Sequence, residues 1–122
     1  MTRLKALIAE FFIWAQFTSD EYAEGKISPK DGYKECDFPK LEELITTALE
    51  IIKKDKITKD DMDDFLTALA IDNESEWILD HCDDAPESFV RQLVEQGYNH
   101  KQYEARWQIA ELLRRRNIPD RM

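Results

Sequence analysis

Glycine and proline are scarce: the 122 residues hold three Gly and four Pro. A multi-stranded sheet needs far more frequent turn punctuation, so an extended β architecture is excluded. Cysteine is scarce too. Cys36 and Cys82 lie far apart, and two such residues do not make the framework of a disulfide-rich secreted scaffold. One bridge or two free thiols both fit the count, and free, buried thiols in a reducing compartment are the expectation. There are only two histidines. His81 and Cys82 are adjacent, but no second pair stands at ligand spacing, so no metal is expected. The residues three before His81 and His100 are Ile78 and Gly97, which removes the Glu-x-x-His pattern of di-iron bundles. The run 60–64 lacks the Gly and terminal Glu of a calcium loop. No Gly-x-Ser-x-Gly elbow and no Gly-rich phosphate loop occurs. Neither catalysis nor a cofactor is expected. The longest apolar stretch, residues 7–17, is interrupted by Glu10 and Gln16 and has no cleavage-type sequence after it. It falls short of the roughly 20 apolar residues of a membrane span. A cytoplasmic protein that does not engage membranes is expected.

What is present is apolar mass and acid. Hydrophobic residues make up 43% of the chain, with three Trp, four Tyr and six Phe, which argues for a folded core. The length suits one domain, residues 1–122. The net charge is −9 and unevenly spread. Residues 55–95 hold thirteen acids and only three bases, Lys56, Lys59 and Arg91, a net −10 that leaves the remainder at +1. Such a block repels nucleic acid and attracts basic proteins. Any one acid is explained as solvation; ten uncompensated charges in a third of the chain are harder to dismiss. The one basic cluster, Arg114 to Arg116 with Arg121, reads as a complement to a helix dipole, so nucleic acid is not an expected partner.

Apolar periodicity near 100° per residue gives about six helices. In residues 3–18, Leu4, Leu7, Ile8, Phe11 and Ala15 share a face. Ile13 and Phe17 lie opposite, with Trp14 to one side; the core is the first expectation for them and a second copy of the chain the alternative. Residues 24–39 read as a long connection pinned by Tyr33 and Phe38. Asp37 and Pro39 open a second helix with a stripe of Leu41, Leu44, Ile45, Ala48, Leu49 and Ile52. Thr58 caps a third, which buries Met62, Phe65, Leu66, Leu69 and Ala70 and turns Asp60, Asp63, Asp64 and Thr67 outward. A short fourth helix, 74–83 and capped by Asn73, is expected to turn Trp77, Ile78, His81 and Cys82 inward and Glu76, Asp80 and Asp83 outward. The fifth begins at Pro86, buries Phe89, Val90, Leu93 and Val94, and ends on Gly97 as a left-handed cap. The sixth, 101–116, follows Asn99 as cap and places Tyr103, Arg106, Ala110 and Leu113 on one face, where Arg106 is expected to pair with an acid. Trp77 and Trp107 are expected in the core. The fold class is all-α, with antiparallel hairpins in a short solenoid or a compact helical bundle.

The stretch 103–113 resembles the second helix of a HEAT-like repeat, which carries an Arg near its start, a small residue four on and an aliphatic pair after. Here these are Arg106, Ala110 and Leu112-Leu113. The likeness covers 58–116 and implies paired helices that stack and bind partners along exposed surfaces. The second copy of the Arg-to-Ala pattern is missing from 74–83. In size, acidity, helicity and lack of catalytic motifs, the chain is also similar to immunity proteins of bacterial toxin systems such as contact-dependent growth inhibition. That resemblance implies a toxin domain as partner, a nuclease being basic where it holds phosphate. The expected binding residues are Asp60, Asp63, Asp64, Glu76, Asp80 and Asp83, with Asp84 and Glu87 at the adjoining turn. The alternative is an adaptor that dimerises through Ile13, Trp14 and Phe17.

Overall fold

The computed structural model describes residues 2–24 and 37–116, and every regular element among them is helical. In chain order these are α1 (Arg3–Ala15), α2 (Ser19–Ala23), α3 (Leu41–Ile52), α4 (Lys59–Ile71), α5 (Trp77–Cys82), α6 (Glu87–Gly97) and α7 (Tyr103–Arg115). No helix among the described residues is long and apolar enough to cross a membrane.

Local chemistry sets the boundaries. The Thr2 hydroxyl accepts the Lys5 amide and starts α1. The expected single helix over 3–18 breaks at Gln16, whose φ of 65° is left-handed. Thr18 and Glu21 then form a reciprocal capping box that starts α2. Asp37 does not cap α3. Lys40 occupies the cap position without a side-chain bond, and the Leu41 amide is taken by the Phe38 carbonyl. Thr58 caps α4 through the Asp61 amide at 3.0 Å, as its sequence position predicts.

Helix α4 is the centre of a compact bundle, with α1, α3, α6 and α7 packed around it. Every residue from Asp64 to Asp72 is buried. Each large apolar side chain here contributes roughly 1.5–3 kcal/mol by leaving water. The predicted faces of α4 and α6 are all buried. In α3, Leu44, Ile45 and Ala48 are buried as expected, whereas Ile51 is fully inside and Leu49 and Ile52 only partly so. Phe11 is fully buried among Phe12, Phe17, Tyr22 and Phe38, with ring centroids 5.2 to 6.1 Å away and edge-on geometry. Phe38 thus pins the start of α3; Tyr33 and Cys36 lie outside the described residues. The Tyr22 hydroxyl donates to the Ala70 carbonyl and so ties α2 to the end of α4.

Gly97 does not form a left-handed cap. It is the last residue of α6 and is buried. A Cβ there would lie 2.9 Å from Leu66 Cδ2 and 3.0 Å from Ile109 Cγ1, so its missing side chain lets α6 approach α4 and α7. Helix α7 buries Ala105, Gln108, Ile109, Leu112 and Leu113 rather than the expected Tyr103, Ala110 and Leu113 face. The Gln108 amide makes this possible by donating to the carbonyls of Leu69 and Glu104, both at 2.8 Å. Asn99 is not its cap; Gln102 holds that position.

Candidate partner-binding surface

Helix α5 has only six residues, and its setting is fixed from outside. Asp72, 1% exposed just beyond α4, accepts the Ile78 amide at 2.7 Å and the Ser75 hydroxyl. It thereby caps α5 from six residues upstream; Asn73 does not. Burial pushes the Asp72 carboxyl above its ordinary pKa, against the pull of those hydrogen bonds. At the other end, Arg116 donates to the carbonyls of Cys82, Asp83 and Ala85 and satisfies acceptors that a helix C-terminus leaves open.

Helix α5 is rotated about its axis from its predicted orientation. Ile78, Leu79 and Cys82 are fully buried, while Trp77 is 48% exposed and His81 is exposed. The sequence expectation for Trp77 and His81 is therefore corrected. A helix of under two turns carries several plausible apolar faces, and Leu79 decides between them. Burial pushes the Cys82 thiol up to about 12.

The acids divide into two groups toward opposite ends of α4, whose 13 residues span roughly 20 Å. Near its start, Asp60 is exposed and in no ion pair among the described residues. Asp63 accepts from His100 Nε2 at 2.7 Å. The other ring nitrogen, Nδ1, accepts the Gln102 amide, so the proton sits on Nε2. Asp64 is corrected: it is 7% exposed, packed on the α1 side, and bound to Lys5 at 3.2 Å. Burial raises its pKa, the Lys5 ammonium opposes that rise, and Asp64 in turn raises Lys5.

In the second group, Arg115 of α7 reaches Asp80 at 2.9 Å, Asp83 at 3.3 Å and Glu76 at 3.5 Å, and also holds Glu111 at 3.0 Å. Arg114 shares Glu111. These two guanidiniums hold Glu111 down at about 2. The arginine run was expected to complement its own helix dipole; Arg115 and Arg116 instead clamp α5. The signal for this was Glu111 four residues before Arg115, but the partners on α5 lie over thirty residues away and left no local trace. Glu76 adopts a left-handed φ of 54°, which costs a non-glycine residue roughly 1 kcal/mol. Asp84 is exposed and in no ion pair among the described residues; Glu87 meets Arg91 at 3.5 Å.

Two further expectations change. Arg106 pairs with no acid among the described residues: it donates to the carbonyls of His100 at 2.6 Å and Lys101 at 3.2 Å and lies over the Tyr103 ring. Ile13 is 77% exposed, whereas Trp14 and Phe17 pack against the core. Of the residues behind the HEAT-like resemblance, Leu112 and Leu113 are buried, Arg106 is partly so, and Ala110 is exposed.

Among the described residues, no three His, Cys, Asp or Glu side chains group as a metal site would require. The indentation between Ile52, Ile57, Pro86 and Phe89 offers about 110 Å³, and a wider, shallow hollow of about 420 Å³ lies by Pro39, Lys40, Glu42, Glu43 and Thr46, whose lining includes none of the expected binding acids. The chemistry this surface offers is charge and an exposed indole. No protein-family model, curated protein or solved structure matches the chain.

Proposed function

We propose that the chain binds and neutralises a basic partner protein through the outward acids of α4, α5 and the turn into α6, in the manner of an immunity protein that blocks a toxin domain. One observation carries this reading: the acids outnumber the cations that reach them. Among the described residues, Asp60, Asp63, Glu76, Asp80, Asp83, Asp84 and Glu87 are met by only two arginine or lysine side chains: Arg115 pairs with Glu76, Asp80 and Asp83, and Arg91 with Glu87. Asp63 has His100 as an additional partner. Asp64, beneath Lys5, is left out of the surface.

Such a surface steers a basic domain into encounter and repels nucleic acid that would compete for it. A nuclease domain is the best fit, because the cations that hold phosphate also suit carboxylates. The chain acts by occupancy and not by catalysis. A second reading, an adaptor joined to another copy around Ile13, Trp14 and Phe17, draws on the exposure of Ile13.

The test begins with the neighbouring gene. If it encodes a large secreted toxin, that toxin's C-terminal domain should co-purify with this chain, and co-expression should restore growth. No binding and no protection would overturn the proposal. A tight homodimer in sedimentation that ignores the toxin domain would favour the adaptor.

A further inference from the structure

The outer side of helix α5 carries Trp77, Asp80 and His81 at i, i+3 and i+4, and all three are exposed; Asp84, also exposed, follows in the turn after the helix. The indole is the only exposed tryptophan among the described residues; Trp14 and Trp107 are partly buried. The His81 ring lies at 6.5 Å between centroids, tilted by 45°, with Nδ1 2.9 Å from the Trp77 carbonyl. The carboxylates beside it are held in place: Arg115 fixes Asp80 and Glu76, and the Asp72 and Arg116 contacts fix the helix ends.

A pre-ordered aromatic side chain in a field of carboxylates is suited to one kind of contact. Tryptophan gives the strongest cation–π attraction of the aromatic residues, and it is enriched among the few interface residues that dominate affinity. A cation over the indole would also find the carboxylate of Asp80, one turn on along the same face, and that of Glu76, its neighbour in the chain. Arginine suits this arrangement better than lysine, because its planar fork stacks on a ring while donating to carboxylates. Little ordering entropy remains to be lost on the receiving side.

We infer that Trp77 is the anchor of the interface, and that it receives an arginine side chain of the basic partner, stacked on the indole and bonded to Asp80. This inference rests on the proposed acidic binding surface and goes beyond it by naming the centre of the interface and the residue type it takes.

The test uses the full chain and, as probe, a capped eight-residue peptide of alternating arginine and glycine, titrated calorimetrically at 50 mM salt. Binding is followed in parallel by the indole N–H resonance of Trp77. Trp77→Ala should weaken binding roughly tenfold or more, and Trp77→Phe should recover most of it. The Trp77 resonance should shift while those of Trp14 and Trp107 stay put. If Trp77→Ala binds within about threefold of the native chain while the double variant Asp80→Asn, Asp84→Asn loses affinity, the acidic surface stands and the Trp77 anchor is overturned. If the native chain binds no peptide at 50 mM salt, both are overturned. Trp77 is half-exposed, so its variants should fold, which the helical circular dichroism signal checks.

Discussion

Replacing Asp72 tests how the surface is assembled, because this one buried carboxylate holds α5 to the end of α4. In Asp72→Ala the Ile78 amide loses its acceptor inside the protein, and the Ser75 hydroxyl loses its partner. A hydrogen bond to a charged group contributes roughly 1.5–3 kcal/mol, and Ser75, which reaches the surface, recovers its bond from water. Some of the loss is returned, since removing a desolvated carboxylate also removes its burial cost. The expected net loss is about 2 kcal/mol, or a Tm lower by roughly 10 °C for a chain of this size. Asp72→Asn keeps one oxygen for the Ile78 amide and should cost about 1 kcal/mol. The pH dependence has a definite sign. The folded pKa of Asp72 lies above its unfolded value, so the folded state binds the proton more readily, and this group's contribution falls as pH rises through that window. The penalty of Asp72→Asn should therefore be larger near pH 4 than at pH 7. Urea unfolding followed by circular dichroism at both pH values measures this. Equal stability of the native chain and both variants, within about 0.5 kcal/mol, would refute the capping role. A penalty that grows toward pH 7 would refute the electrostatic part.

Other sites give sharper local outcomes. Gly97→Ala should destabilise by about 1 kcal/mol in urea, because overpacking against Leu66 and Ile109 outweighs the helix propensity gained; a stabilised variant would contradict the close approach. The Glu111 carboxyl should titrate near pH 2 in carbon-detected NMR, and Arg115→Gln together with Arg114→Gln should return it toward ordinary glutamate values. Cys82, buried and with its thiol raised to about 12, should resist an aromatic disulfide reagent until urea unfolds the chain; prompt reaction of Cys82 in the folded protein would contradict its burial.

The parts of the fold legible in the sequence are those where length and composition agree. Helices α4 and α6 are long enough for Met62, Phe65, Leu66 and Leu69, or Phe89, Val90, Leu93 and Val94, to define one face. The cap at Thr58 follows from its own side chain. The short α2 was also written locally, in Thr18 and Glu21, but the apolar pattern of the preceding helix runs on past Ala15 and masks the break. Helix α7 misleads for a different reason: Gln108 is fully buried because it satisfies two backbone carbonyls, and no hydropathy pattern anticipates that. The acidic surface was legible as composition and not as geometry. Sequence distinguishes neither Asp63 from Asp64, adjacent yet one exposed and one buried, nor the arginine thirty-five residues away that gathers Asp80. The exposure of Trp77 follows only from the rotation of α5, which Leu79 sets by taking the inner position.

The most direct test of acidic-surface binding is the salt dependence of association with the basic partner domain that the proposal calls for, a neighbouring gene's toxin domain being the first to try. Stopped-flow association rates at 50 and 300 mM salt should differ by roughly tenfold or more, and a variant with Asp60, Asp80, Asp84 and Glu87 changed to their amides should lose most of that difference. An association rate indifferent both to salt and to those four carboxylates would contradict the account.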